Sequence, residues 1–325
     1  MRIAVYRMCF ALALGAATFG CGSPSGSTDA GVDSGVDGGF ENGATDDGGT
    51  DGGTDSGTGD PSSFQIAVPP VDVAIGEEEF RCLHTSIDVG RAAGISRWSS
   101  SFTAGIFEIQ VYFVANASRP EGTLEQCATI PSNGTWMYGT LRTPYSLSIP
   151  DGAAIPMAQP QPAVVRIHYL NGSAATVSAS ATITGELRPA GEAFSQAAAY
   201  LTLDTRIAIP AASTGSVTGS CGVPSGASFF ALTTYTHKAS TRTEVRDGTT
   251  VVFQSTDWSN PGDAPWGTPP HHVFTGNLGY TCEYNNPTNA PVTFGDGEGD
   301  EACMVIAYFF PATGNVMCVN GTVLP

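Results

Sequence analysis

The chain has 325 residues, which is enough for two domains, and it is acidic and poor in charged groups. Charged residues make up 13% of the sequence, against about 25% in an average soluble domain. The formal net charge is −17, with only 13 lysines and arginines. Because nucleic acids are bound by clusters of basic side chains, this composition excludes them as partners.

An N-terminal targeting segment occupies residues 1–21. A basic start precedes an apolar run that ends at Phe19 and is too short to span a membrane as a mature helix. The segment ends with Thr18-Phe19-Gly20-Cys21, which is similar to a bacterial lipobox except that Thr18 stands where leucine is usual. We expect lipidation of Cys21 and a membrane anchor, giving an exported bacterial lipoprotein of the outer membrane or cell surface. The alternative is an ordinary signal peptide that leaves Cys21 as a spare thiol.

Residues 22–63 are predicted to form a disordered linker. Glycine, aspartate, serine and threonine dominate, and every charge is acidic. Such a segment buries too little apolar surface to offset the entropy of ordering. Like charges also keep it extended, so we expect a spacer between the anchor and the folded part.

Six cysteines remain once Cys9 and Cys21 are set aside. An even number in an exported chain indicates three disulfides, formed in an oxidising compartment. The spacing alone does not assign the pairs. Because none of the cysteines forms a Cys-x-x-Cys motif, a structural zinc site or a thioredoxin-like redox site is not expected.

Beyond Phe64 the chain is composed of short strand-like runs separated by turn residues. Asp-Gly and Asn-Gly pairs lie between the runs and are hairpin or loop signals. The run from Ile106 to Val114 carries apolar residues for both faces of a strand. The one helix-compatible stretch is Gly191 to Ala199. The pattern predicts an all-β protein built from antiparallel β-sandwiches.

A joint between two domains is predicted at Ile209 to Gly215, where proline, alanine and serine interrupt the strand pattern. The first domain then covers residues 64–210 and the second residues 213–325, and both are large enough to hold a core. We expect the chain to be a monomer.

Several motifs together resemble one enzyme family. The second half contains Cys221 before Tyr235-Thr236-His237, then Leu278-x-x-x-Cys282-x-Tyr284-Asn285 and Asp300-Glu301-x-Cys303 followed by an apolar-aromatic strand. The first half contains Val71-Asp72-x-x-x-Gly76-Glu77-Glu78-x-Phe80-x-Cys82 and Arg166-Ile167-His168-Tyr169. These features resemble the copper type II, ascorbate-dependent monooxygenases, the group of peptidylglycine α-hydroxylating and dopamine β-monooxygenases. The resemblance implies two tandem jelly-roll-like sandwiches, each holding one copper, on either side of a solvent-filled cleft.

The same resemblance implies the disulfide pairing and a reaction. The implied pairs are Cys82–Cys127, Cys221–Cys318 and Cys282–Cys303. The implied reaction is hydroxylation with molecular oxygen and an ascorbate-like reductant, and the implied cofactor is copper.

The chain departs from the family at most of the copper ligands. The oxygen-side copper is held by a His-x-His pair and a methionine, but here Tyr235 replaces the first histidine and Ala302 the methionine, with Met304 two residues later. The electron-side copper needs two adjacent histidines where Glu108 and Ile109 stand. The retained family positions are therefore His168 and His237, and a lone imidazole does not hold copper.

Three functions are compatible with these residues. The first is a divergent monooxygenase with impaired or lost activity, in which Met304 could be a substitute ligand. The second is a non-catalytic surface lipoprotein that binds a small molecule or peptide between the domains. The third is a single-metal protein that uses His237 with Tyr235 or with His271 or His272, although these two histidines also fit a polar turn after two prolines. The large aromatic residues could line such a cleft or belong to the sandwich cores: Trp98, Trp136, Tyr138, Trp258 and Trp266.

Overall fold

The computed structural model describes residues 60–324 except 128, 296 and 298. The predicted signal segment, the lipidation of Cys21, the membrane anchor and residues 22–59 of the linker lie outside the described residues. The described part of the chain contains no helix. It therefore contains no helix that is long and apolar enough to cross a membrane.

The described residues form short strands joined by turns. The first eleven strands are β1 (Ser63–Val73), β2 (Glu78–Ile87), β3 (Ala93–Phe102), β4 (Ile106–Val114), β5 (Leu124–Gln126), β6 (Gly134–Thr140), β7 (Tyr145–Ser148), β8 (Ala153–Met157), β9 (Gln161–Leu170), β10 (Val177–Leu187) and β11 (Ser195–Gln196). The next eleven are β12 (Ala198–Leu203), β13 (Ala208–Ile209), β14 (Ser213–Cys221), β15 (Ser228–Tyr235), β16 (Ser240–Asp247), β17 (Thr250–Ser255), β18 (Leu278–Asn286), β19 (Val292–Thr293), β20 (Met304–Phe310), β21 (Val316–Val319) and β22 (Thr322–Val323).

The first eleven strands build one sandwich of two sheets. Sheet A has the order β1-β10-β3-β8-β11, with β7 also paired to β3, and sheet B has the order β5-β2-β9-β4-β6. Strand β10 of sheet A alternates between buried and more exposed residues, with Ala179, Ala181 and Ile183 facing inwards. This period of two is typical of a strand that has a core on one face only. Sheet A is therefore an outer layer.

The remaining strands build a second sandwich. Sheet C has the order β15-β20-β12-β21-β22, sheet D has the order β14-β18-β16-β17, and β13 pairs with β19 alone. All strand pairs are antiparallel except β8–β11 and β12–β21. The predicted fold class is thus confirmed: the protein is all-β, with two tandem jelly-roll-like antiparallel sandwiches.

Sheets B and C pack face to face, so the described chain is a stack of four sheets in the order A, B, C, D. Along β20, Val305 and Phe309 belong to the core of the second sandwich, whereas Ile306 and Tyr308 belong to the core that includes sheet B. A hydrogen bond of 2.9 Å from Trp136 Nε1 of β6 to the hydroxyl of Tyr308 crosses the interface. This arrangement explains why the central strands β4, β9, β12 and β20 are buried on both faces. Where the resemblance implies a solvent-filled cleft, the two sheets are in direct contact.

The chain passes from the first sandwich to the second earlier than the predicted joint. Strand β11 still pairs with β8, but β12, which begins at Ala198, lies between β20 and β21 of sheet C. The predicted joint at 210–213 therefore lies inside the second sandwich. The helix-compatible stretch Gly191 to Ala199 contains β11 and the start of β12 instead of a helix, and Ala197, Ala198 and Ala199 at its end are buried.

Three disulfides are present, and they are the implied pairs Cys82–Cys127, Cys221–Cys318 and Cys282–Cys303. Cys221–Cys318 connects β14 of sheet D to β21 of sheet C. Cys282–Cys303 connects β18 of sheet D to the residue that precedes β20 of sheet C. They therefore hold the two layers of the second sandwich together.

A buried asparagine closes the same kind of corner in each sandwich. Asn171 follows β9, donates Nδ2–H to the carbonyls of Val73 and Ala175 at 2.9 Å each, and accepts from Ser173. Asn286 ends β18 and donates in the same way to carbonyl oxygens of the chain before β14 and after β18. Both corners have the sequence motif Asn-x-Ser/Thr-x-Ala. The same hydrogen-bonded corner therefore occurs once in each sandwich.

Candidate ligand cavity between the sandwiches

The residues predicted from the resemblance to stand at the oxygen-side copper site lie together at sheet C. Tyr235 is at the end of β15, and its direct cross-strand partner on β20 is Met304. Ala302, which precedes β20, and Met304 both pack in the core cluster that includes sheet B. Tyr235, Ala302 and Met304 all line one cavity.

This cavity has a volume of about 280 Å³ and lies between sheets B and C. We call it the inter-sandwich cavity. Its wall on the first sandwich comes from β4, β6, β9 and the loop before β6: Gln110, Tyr112, Ile130, Gly134, Thr135, Trp136 and Arg166. Its wall on the second sandwich is mostly aliphatic and contains two methionines: Leu201, Leu203, Tyr235, Phe294, Ala302, Met304, Asn315, Val316 and Met317. A mostly apolar concave surface with a few polar groups is typical of a small-molecule site.

Three polar side chains of the cavity wall, Gln110, Arg166 and Asn315, are hydrogen-bonded to other protein groups. Gln110 Oε1 accepts from the hydroxyl of Tyr112 at 2.8 Å and from Arg166 at 3.4 Å. The guanidinium of Arg166 also lies 3.6 Å from the centre of the Phe80 ring. Across the cavity, Asn315 Nδ2 donates to the carbonyl of Trp136 at 2.6 Å, and its Oδ1 accepts from the backbone of Ala199 at 3.0 Å. The cavity therefore has a polar floor whose bonds are made within the protein.

Tyr235 and His237 form a hydrogen-bonded chain beside the cavity. His237 Nδ1 lies 2.9 Å from the carbonyl of Asp300, which can only accept, so Nδ1 carries the proton. Its Nε2 lies 2.8 Å from the hydroxyl of Tyr235, within hydrogen-bond distance. Both ring nitrogens of His237 are therefore occupied by protein groups.

Glu108 is a buried carboxyl at the same interface. It is 2% exposed, and its Oε1 accepts from Gln110 Nε2 at 2.6 Å. Burial raises the pKa of Glu108, and the hydrogen bond from Gln110 and the charges of Arg166 and His237 oppose this rise. The side chain is thus an acid held in a largely apolar interface.

The replacement Glu108→Gln is expected to remove part of the pH dependence of stability. The pKa of Glu108 in the folded state is raised above its ordinary value of 4.5, so its neutral form is favoured by folding. Its contribution is complete below pH 4.5 and is lost as the pH rises towards the folded-state pKa. Urea denaturation should give similar stability for the two proteins at about pH 4 and a more stable variant at about pH 8.

The exposed Glu121 supplies the matched control, since Glu121→Gln should leave the pH profile of the wild type unchanged. A difference between wild type and Glu108→Gln that stays constant across this pH range would contradict the assignment of Glu108 as a destabilised carboxylate.

His168 lies next to Glu108 but is enclosed separately. It is the cross-strand partner of Glu108 on β9, and its ring stacks on Phe80 with centroids 4.1 Å apart. Nε2 lies 3.1 Å from Glu78 Oε1, and Glu78 also pairs with Lys238 of the second sandwich at 3.3 Å. Burial lowers the pKa of His168 to about 4, against the opposing effect of Glu78. His168 is therefore a neutral, packed residue of the interface.

His271 and His272 are far from His237. His272 forms an isolated bridge with Phe229, near the start of β15, whereas Tyr235 ends that strand, about 20 Å further along at strand spacing. His272 stacks on Trp266 with centroids 4.4 Å apart, and His271 Nδ1 donates to the carbonyl of Trp266. The structure does not bring these histidines together with His237 and Tyr235.

The residues present do not fit a copper ion. A site of this kind needs three or four nitrogen, sulfur or oxygen donors, and the described residues contain no group of three His, Cys, Asp or Glu placed to hold a metal. Ile109 faces the core of the first sandwich and Ala302 carries no donor. The buried Nδ1 of His168 has no hydrogen-bond partner among the described residues, but a single nitrogen does not make a metal site.

Most of the cavity wall is not marked by any motif in the sequence. Trp136 was among the aromatic candidates and does line the cavity, whereas Trp98 and Tyr138 belong to the core of the first sandwich. The aliphatic wall of Leu201, Leu203 and Met317 carries no motif. Its one sequence signal is that the strands concerned are apolar on both faces, which indicates a further layer but does not identify it.

No family model matches this chain, and no curated protein matches it. Among solved structures, the chain is similar to the major capsid protein P2 of bacteriophage PM2, with 9% identity, a TM-score of 0.32 and coverage of 76% of this chain and 97% of the other. It is also similar to PNGase F, a glycosylasparaginase from Flavobacterium meningosepticum, with 9% identity, a TM-score of 0.31 and coverage of 81% and 99%. No assignment of function follows from these likenesses.

Proposed function

We propose that the protein is a non-catalytic binding protein that holds a small, mostly apolar molecule in the inter-sandwich cavity. The observation that supports this proposal is the cavity itself, about 280 Å³ with a mostly aliphatic wall. The buried polar groups beside it are bonded to one another and hold the two sheets in place. They leave no arrangement of donors for metal chemistry among the described residues.

The volume limits the size of the ligand. An apolar cavity of about 150 Å³ binds benzene, so the inter-sandwich cavity accommodates a molecule about twice that size. The wall includes Met304 and Met317, and methionine side chains adapt their shape and make favourable contacts with aromatic rings. Both features suit a compact apolar ligand over a charged one.

The cellular setting is part of the proposal. The three disulfides fit an exported protein that folds in an oxidising compartment. We propose further that Cys21 carries a lipid and anchors the protein at the outer membrane or cell surface, with residues 22–63 as the tether. The cavity would then be held a short distance from the membrane.

We also propose that the chain is a divergent relative of the copper monooxygenases in which a binding function has replaced hydroxylation. The support is that the implied cysteine pairs are formed and that His168, Tyr235 and His237 lie at one interface. Glu108 and Ala302 stand at positions where the resemblance implies copper ligands. Glu108 is instead a buried carboxyl at the interface, and Ala302 lines the cavity.

Binding of 2-naphthol, a fluorescent bicyclic probe of suitable size, tests the proposal. We expect a Kd on the order of 100 µM, from the usual binding energy per ligand atom. Ala302→Phe places a ring inside the cavity and should weaken binding by about tenfold or more. Leu203→Trp fills it from a neighbouring strand and should act in the same direction.

Val251→Phe, on the exposed strand β17, is the matched control and should bind like the wild type. Circular dichroism of each variant establishes that it is folded. The absence of any naphthol binding by the wild type, or equal binding by both cavity-filling variants, would overturn the proposed function.

A further inference from the structure

The mouth of the inter-sandwich cavity is flanked by exposed apolar side chains. Ile130 of the first sandwich is 41% exposed and Phe294 of the second is 36% exposed, and both line the cavity. They are two of the few large apolar residues that are exposed in the described part of the chain. Each costs free energy in proportion to its apolar area in water. Apolar side chains therefore line both the buried part of the cavity and its exposed edge.

Most hydrogen-bonding groups at the inner end of the cavity are already bonded to other protein groups. Gln110 bonds to Glu108, Tyr112 and Arg166, Trp136 donates to Tyr308, and Tyr235 is bonded to His237. A ligand hydroxyl placed there would displace existing bonds and lose its own hydration. The inserted end of the ligand is therefore apolar, and its polar end stays at the mouth in contact with water.

We infer that the ligand is a single-chain amphiphile, bound with its alkyl chain inserted and its polar group outside between Ile130 and Phe294. A chain longer than the cavity covers the two mouth residues, whereas a compact ring leaves them in water. This inference rests on the proposed function, because it specifies the chemical class of ligand for the same cavity.

Titration calorimetry with straight-chain primary alcohols from 1-pentanol to 1-decanol tests the inference. Each additional methylene that leaves water should strengthen binding about fourfold. The increase should continue to the longest alcohol, since the last methylenes contact the mouth. In Phe294→Ser and Ile130→Ser the affinity for 1-decanol should fall by about fourfold or more, while that for 1-pentanol stays unchanged.

Ile75→Ser and Val251→Ser remove exposed apolar side chains elsewhere and are the matched controls. They should bind every alcohol like the wild type. All four positions are exposed, so these variants are expected to fold.

The two proposals fail in different ways. If 2-naphthol binds but alcohol affinity stops rising at short chains, or the mouth variants leave 1-decanol binding unchanged, the chain-in orientation is wrong and the proposed function stands. If the wild type does not bind 2-naphthol, the proposed function is overturned, and the inference that rests on it is overturned as well.

Discussion

Replacing Cys221 and Cys318 together with alanine is expected to lower the free energy of unfolding by about 5 kcal/mol. Their disulfide closes a loop with a sequence separation of 97, and a longer loop restricts the unfolded chain more. It also joins the end of β14 in sheet D to β21 in sheet C. Urea denaturation of the variant and the wild type measures the difference.

The bridge between Cys282 and Cys303 provides the comparison, because it connects the same two layers. Its sequence separation is only 21, which corresponds to about 3 kcal/mol. Removing this short bridge should therefore destabilise the protein less than removing the long one. The reverse order would contradict the view that the long bridge acts mainly on the unfolded chain.

Asn286→Ala is expected to lower the free energy of unfolding by about 3 kcal/mol. The side chain is fully buried. Its Nδ2 donates to the carbonyls of Pro210 at 2.9 Å and Ala290 at 2.8 Å, and its Oδ1 accepts from the backbone and hydroxyl of Thr288. Alanine would leave several buried backbone groups without partners. Thermal or urea denaturation measures the loss.

The neighbouring Asn285 is exposed, so Asn285→Ala is the control and should change stability by about 0.5 kcal/mol or less. Asn171→Ala should destabilise the first sandwich by an amount similar to Asn286→Ala in the second. If Asn285→Ala cost as much as Asn286→Ala, the corner would not be the source of the stability.

The sequence predicts the layers of this protein well, because alternation along a strand directly reflects burial. The run from Ile106 to Val114 is apolar on both faces, and in the structure β4 lies between the core of the first sandwich and sheet C. The all-β class, the paired sandwiches and the three disulfides also follow from the sequence and the family resemblance. In contrast, the sequence does not show to which sandwich the six residues of β12 belong. That depends on the strands with which β12 pairs, and no local sequence pattern identifies them.

The cavity could not be predicted because it has no local motif. Its wall combines residues of β4, β6 and β9 with residues of β12, β15, β20 and β21, which lie far apart in the sequence. Leu201 and Met317 look like ordinary core residues in the sequence. Only the packing of sheet B on sheet C shows that these two residues line a cavity. Tyr235 and Met304 were identified as metal-site candidates, and the structure places them in the cavity wall.

The most direct test of the central claim is a crystal structure with 6-bromo-2-naphthol bound, recorded at the bromine absorption edge. The binding proposal predicts an anomalous peak inside the inter-sandwich cavity, between Tyr112 of sheet B and Met304 of sheet C, and no such peak in crystals of Ala302→Phe. A wild-type crystal with bromine only on the outer surface, or with none bound, would contradict the claim that this cavity is a ligand site.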